Sequence, residues 1–87
     1  YGGEEFAIVL YHTDRRAAYE AAERLRQAVE SNEVEDNGNV LRVTISLGIA
    51  TFPHEKIHDS KELIEYADQA LYKAKENGRN RVEAFDG

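Results

Sequence analysis

The sequence predicts one small α+β unit of order β-α-β-α-β, with mainly antiparallel strand pairing and two helices on one face of the sheet. Three observations predict it. An apolar run, Phe6-Ala7-Ile8-Val9-Leu10, follows directly on Gly2-Gly3-Glu4-Glu5; hydrophobic residues alternate with small or polar ones five times from Leu41 to Ala50; and a stretch with apolar residues at three- and four-residue steps lies on either side of that strand. The 87 residues allow one domain, which buries about 60 to 65% of its unfolded surface.

The first strand has Phe6, Ile8 and Leu10 on one face and Ala7, Val9 and Tyr11 on the other, so both faces are apolar and the strand is expected to be central. Gly2-Gly3 reads as a tight turn entering it, and a backbone without side chains lets a bulky ligand lie close. His12-Thr13-Asp14 supplies turn and cap residues. From Arg15 to about Ser31-Asn32 an amphipathic helix carries Ala18, Ala21, Ala22, Leu25, Ala28 and Val29 on its apolar stripe, and so many alanines point to close packing on a sheet.

Asn32 to Asn39 is polar, and Asp36-Asn37-Gly38-Asn39 holds the Asn-Gly pair of a hairpin turn. In the long strand behind it, Leu41, Val43, Ile45, Leu47 and Ile49 face the core, and Arg42, Thr44, Ser46, Gly48 and Ala50 form a polar or small face. That second face suits a ligand, another subunit or plain solvent. Pro53 ends the strand. His54-Glu55-Lys56-Ile57-His58 matches H-E-x-x-H, but a zinc site needs both imidazoles one turn apart on a helix. The helix signal starts only afterwards, with Asp59 as N-cap and Glu62 completing a capping box, so a solvated loop is expected. The second helix runs from about Ser60 to Asn77 with Leu63, Ile64, Ala67, Ala70, Leu71 and Ala74 on one stripe. Gly78 is its expected C-cap, and a short strand follows at Arg81 to Phe85.

A formal charge of −6, from 11 basic against 17 acidic residues, argues against a binder of polymeric nucleic acid. A single nucleotide remains accessible, since a few placed cations and a metal serve one triphosphate. With no cysteine neither disulfides nor thiolate metal sites enter. No apolar run approaches the roughly 18 residues of a membrane span. The cytoplasm is the default compartment, either for a free protein or for the cytoplasmic part of a larger membrane-anchored one. Tyr1 is not an initiator methionine, which leads us to expect a longer parent chain.

Adjacent carboxylates at the mouth of an apolar strand call for a cation, and hard ions such as Mg²⁺ take carboxylate oxygens. In a regular strand Glu4 and Glu5 point to opposite faces and cannot chelate one ion together; in a turn that restriction lapses. Two surface acids are the plain alternative. Lys75 and Arg79 flank the end of the second helix, where cations complement the macrodipole and can also grip phosphate. Asn77 and Asn80 read as turn and cap residues.

Gly2-Gly3-Glu4-Glu5-Phe6 resembles the signature of the GGDEF family, the diguanylate cyclases, with Glu at the third position. The similarity continues through Val43-Thr44-Ile45-Ser46-Leu47-Gly48-Ile49-Ala50, then Ala67-Asp68-Gln69-Ala70-Leu71-Tyr72-Lys73-Ala74-Lys75 and Asn77-Gly78-Arg79-Asn80-Arg81-Val82. It implies the latter part of a ferredoxin-like, nucleotide-cyclase-type domain that condenses two GTP into cyclic di-GMP as a homodimer with Mg²⁺ or Mn²⁺. It further implies that Glu4 ligates metal, that Glu5 binds metal and activates the attacking hydroxyl, and that Gly2 and Gly3 lie against substrate. Lys75 and Arg79 would hold the triphosphate, and Arg24 matches a helix arginine of a product-inhibition site, although a solvated arginine explains it equally. What the family places before the glycine pair has no counterpart: the strand with the first metal-binding Asp, the guanine-reading residues and the R-x-x-D inhibitory motif. Residues 1–87 therefore correspond to the C-terminal portion of such a domain, expected to be inactive alone and prone to associate through open strand edges, with a sensory or regulatory domain upstream in the parent. The alternative is a degenerate domain that signals by holding GTP or a partner protein.

Overall fold

In the computed structural model, which describes residues 2–11 and 14–85, the chain runs through β1 (Gly2–Tyr11), α1 (Arg15–Ser31), β2 (Glu33–Asp36), β3 (Asn39–Phe52), α2 (Ser60–Glu76) and β4 (Val82–Ala84). The turn expected at His12-Thr13, and the faces expected of the Phe6 to Tyr11 side chains, lie outside the described residues. Both helices fall where periodicity put them. Asp14 caps α1 by accepting from the Arg16 amide at 3.4 Å, and Asp59 caps α2 by accepting from the Glu62 amide at 2.8 Å. The capping box closes one residue early: Glu62 Oε1 accepts from the His58 amide at 2.8 Å. At the far end of α2, the Gly78 amide donates to Lys75 O and the Arg79 amide to Ala74 O. That pair of bonds, with Gly78 at φ 116°, is a Schellman ending.

One strand more forms than expected. β2 pairs antiparallel with the start of β3, Glu33 opposite Arg42 through Asp36 opposite Asn39. Asn37 and Gly38 turn between them at φ 52° and 82°, both positive as a type I′ turn requires. Three acids among four residues hide a strand from a propensity reading.

The expectation of mainly antiparallel pairing is corrected by the sheet. β1 pairs parallel with β3 from Gly2 opposite Val43 to Tyr11 opposite Phe52, and β4 pairs parallel with β3 from Leu47 opposite Val82 to Ile49 opposite Ala84. Only the β2–β3 hairpin is antiparallel. The reason lies in the connections: α2 crosses back over the sheet and delivers β4 parallel to β3, whereas after α1 the chain first runs along β2 and is then reversed by a two-residue turn, which brings β3 back parallel to β1. β3 is thus central in the described sheet, and β1, expected to be central, forms one side of it.

The helices also occupy opposite faces rather than one. Odd positions of β3 (Ile45, Leu47, Ile49) pack with Ala18 and Ala22 of α1 and with Val82. Ala50, an even position, packs with Leu63 and Ala67 of α2 and with Ile57, beneath Phe52, Tyr66 and Phe85. From Ser46 to Ala50 the small face of β3 is therefore covered by α2 rather than open to solvent: residues 45–51 are all buried, and Thr44 is half-buried. Gly48 is the pivot. A Cβ there would run into the backbone nitrogen of Leu71 and the carbonyl oxygen of Ala67 and would lie 2.6 Å from Leu71 Cα. Small residues on both sides, Gly48 facing Ala67 among the buried alanines of α2, let helix and strand backbones meet directly. On α1 the apolar stripe is narrower than expected, since Leu25 is 50% exposed and Ala21 and Ala28 are exposed too.

Candidate functional site

β1 opens with the candidate glycines and acids, and the tight turn expected at Gly2-Gly3 is instead extended backbone paired with Val43 and Thr44. Flanking β3 on its long parallel edge gives these residues ladder partners that a free turn lacks. Glu4 then stands opposite Ile45 and Glu5 opposite Ser46, both carboxylates exposed. Successive strand residues alternate, so Glu4 shares the α1 face with Ile45 while Glu5 shares the α2 face with Ser46. In this geometry they do not chelate one ion between them.

The cation-bearing loop approaches the same point of β3 from the other edge. Lys75, half-buried, lies in the last turn of α2, and Arg79 is exposed in the connection to β4. Arg79 and Asn80 follow Gly78 in the left-handed region, at φ 61° and 48°. The Asn80 amide donates to Ser46 Oγ at 3.1 Å, and the Leu47 amide donates to Arg81 O at 2.9 Å. Ser46, 2% exposed, is thus flanked by Glu5 on β1 and by Asn80. Acids and cation loop meet at one end of the sheet, about 10 Å apart across two inter-strand spacings.

A charged network beneath the loop ties it to α1. Arg26 of α1, its side chain only 13% exposed, forks onto Glu23 through Nε at 2.9 Å and Nη2 at 2.7 Å. Its Nη1 donates to Glu30 Oε1 at 3.2 Å and to Asn80 Oδ1 at 2.9 Å, and Asn80 Nδ2 donates to Glu30 Oε2 at 2.6 Å. Hydrogen bonding from Arg26 outweighs burial and, with Gln27, holds the Glu23 carboxyl below the usual glutamate range. The Asn80 amide, then Arg26, does the same for Glu30. Hydrogen bonding to Glu23 raises the guanidinium in turn, against burial. The i,i+3 and i,i+4 spacing of Glu23, Arg26 and Glu30 was a readable signal; the reach to Asn80 was not.

Other candidates stay apart. Arg24 is exposed on α1. The His54 to His58 segment is a turn, bridged between His54 and Ile57, with the Lys56 amide donating to His54 Nδ1 and the ring of His58 beside Glu62. It presents no helical pair of imidazoles, so the zinc reading fails on geometry. An open hollow of about 400 Å³ lined by Arg15, Arg16, Tyr19 and Ala84 lies toward the C-terminal ends of the strands, away from the acids. Among the described residues no group of three or more His, Cys, Asp or Glu gathers as a metal shell, and no helix is long and apolar enough to cross a membrane. One exposed carboxylate does suit Mg²⁺, which is held by one or two carboxylates together with water and substrate phosphates.

A β-α-β-β-α-β chain with acids at the mouth of its first strand and a cation-bearing loop behind its last helix is a ferredoxin-like, nucleotide-cyclase-type α+β unit. Residues 1–81 match the profile of the diguanylate cyclase GGDEF domain. The chain belongs to the GGDEF family. It is 44% identical over 82 residues to diguanylate cyclase A of Treponema denticola, covering 94% of this chain and 22% of that protein. Diguanylate cyclase DosC of Escherichia coli is 43% identical over 86 residues (98% and 18%), and the uncharacterized protein YhcK of Bacillus subtilis 49% over 82 residues (93% and 23%). The chain thus spans about a fifth of the length of these relatives.

Proposed function

We propose that the protein containing this chain is a diguanylate cyclase, condensing two GTP molecules into cyclic di-GMP and releasing two pyrophosphates. Besides family membership, one observation carries the reading: Glu5 on β1 and the amide of Asn80, the residue after Arg79 in the cation-bearing loop, flank the same residue of β3, Ser46. Charges so arranged suit a triphosphate, whose oxygens need cations while its reacting end needs a base. In a homodimer each subunit presents one GTP. The 3′-hydroxyl of each attacks the α-phosphorus of the other, a P–O bond forms, the bond to pyrophosphate breaks, and Glu5 takes the hydroxyl proton. Lys75 and Arg79 hold the departing pyrophosphate, Lys75 as a point charge and Arg79 as a forked donor. Gly2 and Gly3 leave the backbone open to the nucleotide. Glu4 would hold a divalent ion, Mg²⁺ or Mn²⁺, which would supply charge neutralisation and a lowered pKa of the attacking hydroxyl.

Residues upstream in the parent complete the metal and guanine contacts under this reading, so residues 1–87 alone do not turn over GTP. Arg24 serves a product-inhibition site in the same scheme. The test is Glu4→Gln in the complete protein, with cyclic di-GMP formation and GTP binding measured separately. Turnover is expected to vanish while binding persists; normal cyclisation by this variant refutes the metal role of Glu4.

A further inference from the structure

We propose that Arg26 is a positioning residue for the cation-bearing loop, holding Asn80, and through it the left-handed Gly78-Arg79-Asn80 turn, against Ser46 of β3. The proposal rests on the reading that Lys75 and Arg79 grip phosphate. Arg26 donates four hydrogen bonds, which occupy most of a guanidinium's donors. Two carboxylates already engage its charge. It is therefore poorly placed to bind an anion itself, and well placed to fix a neighbour.

The neighbour requires fixing. Arg79 and Asn80 both adopt positive φ, a conformation disfavoured for residues with a Cβ and kept only where the surroundings over-determine it. Three contacts do so at Asn80: Oδ1 accepts from Arg26, Nδ2 donates to Glu30, and the backbone amide donates to Ser46 Oγ. The first two cross from α1 to a loop 54 and 50 residues away in sequence. An arginine forked onto one glutamate satisfies a helix surface without any such reach. The consequence of the reach is that Arg79 hangs between Gly78 and a clamped Asn80, with its backbone direction set from α1.

The experiment measures initial rates against GTP concentration in the complete protein for Arg26→Gln, Arg26→Lys, Asn80→Gly, Arg79→Ala and the double variant Arg26→Gln/Arg79→Ala. Glycine takes the left-handed conformation without steric penalty, so Asn80→Gly cuts the clamp while leaving the Arg26–Glu23 pair intact, and it carries the test if Arg26→Gln does not fold. Each clamp variant is expected to raise KM about tenfold with kcat within about twofold, the signature of lost binding that is shared by ground and transition states. Arg26→Lys is expected not to rescue, because an ammonium lacks the fork. The double variant should be no worse than Arg79→Ala alone, since the clamp acts through that side chain. An unchanged KM in Asn80→Gly and Arg26→Gln beside a raised KM in Arg79→Ala overturns the positioning role and leaves the phosphate reading standing. Losses that simply add in the double variant also overturn it. An unchanged KM in Arg79→Ala overturns both.

Discussion

Replacing Gly48 by alanine is the sharpest test of how α2 is held. The added Cβ meets backbone atoms of α2, including Leu71 Cα at 2.6 Å, where ordinary contact begins near 3.4 Å. No rotamer change relieves a clash with backbone, so the helix must retreat as a body, by a distance of the order of 1 Å. A radial gap of about 0.5 to 1 Å forfeits a quarter to a half of the dispersion attraction along the contact, and the contact includes Leu63 and Ala67, buried to 0% exposure. Overpacking ordinarily costs about 1 to 3 kcal/mol, and a clash with a helix backbone belongs at the upper end, about 3 kcal/mol. In a domain of this size that lowers Tm by roughly 12 to 24 °C. Urea unfolding of the protein, fitted with a common m-value, measures the loss. Gly38→Ala is the control: nothing lies within 4 Å of its Cβ and only the φ of +82° is strained, a cost of about 1 kcal/mol. If Gly48→Ala loses no more than Gly38→Ala, the direct helix-to-strand contact is not what sets α2.

Asp59→Ala should destabilise by about 1 kcal/mol, and by more than Asp14→Ala, because its cap bond is 2.8 Å against 3.4 Å; equal losses in thermal melts would contradict the ranking. The Arg26 network predicts an acid limb. Since the folded pKa of Glu23 lies below its ordinary value of 4.5, its contribution to stability is whole above that value and disappears as pH falls through the folded pKa. The difference in urea midpoint between wild type and Arg26→Gln should therefore shrink as the pH is lowered from about 6 to about 3, and a gap that stays constant removes the linkage.

Much of the fold was legible because its elements obey single periods. The alternation from Leu41 to Ile49 and the alanine-rich stripes gave β3 and both helices, and Asn37-Gly38 gave the hairpin turn. What escaped depends on contacts far apart in the chain. Strand direction follows from helical crossovers, and the face taken by α2 follows from one missing side chain at Gly48. β2 hid behind Glu33, Glu35 and Asp36, whose composition resembles a loop. Among candidate site residues, Glu4, Glu5, Lys75 and Arg79 were named from the motif and the helix end, and the sheet sets Glu5 opposite Ser46, whose hydroxyl accepts from Asn80 next to Arg79. Their alternation across the strand could be stated from sequence only as a condition. The Arg26–Asn80 clamp joins residues 54 apart, which no local pattern encodes.

The register of β3 also bears on the order in which the molecule assembles. Its pairing with β2 closes within a few residues of Gly38, whereas every β1 partner lies 41 positions away, from Gly2 with Val43 to Tyr11 with Phe52. Loop-closure entropy makes the distant pairing dearer by about 2 kcal/mol before any contact rewards it, and non-local pairing slows folding. The hairpin is thus the natural nucleus and β1 the last strand to zip. Among the described strands β1, β2 and β4 each pair with β3 alone, and of the three β1 does so across the widest gap in sequence. Native-state hydrogen exchange would then show β1 amides opening at lower free energy than those of residues 45–51. The strand that bears the acids is, on this account, the one whose pairing costs the most chain entropy.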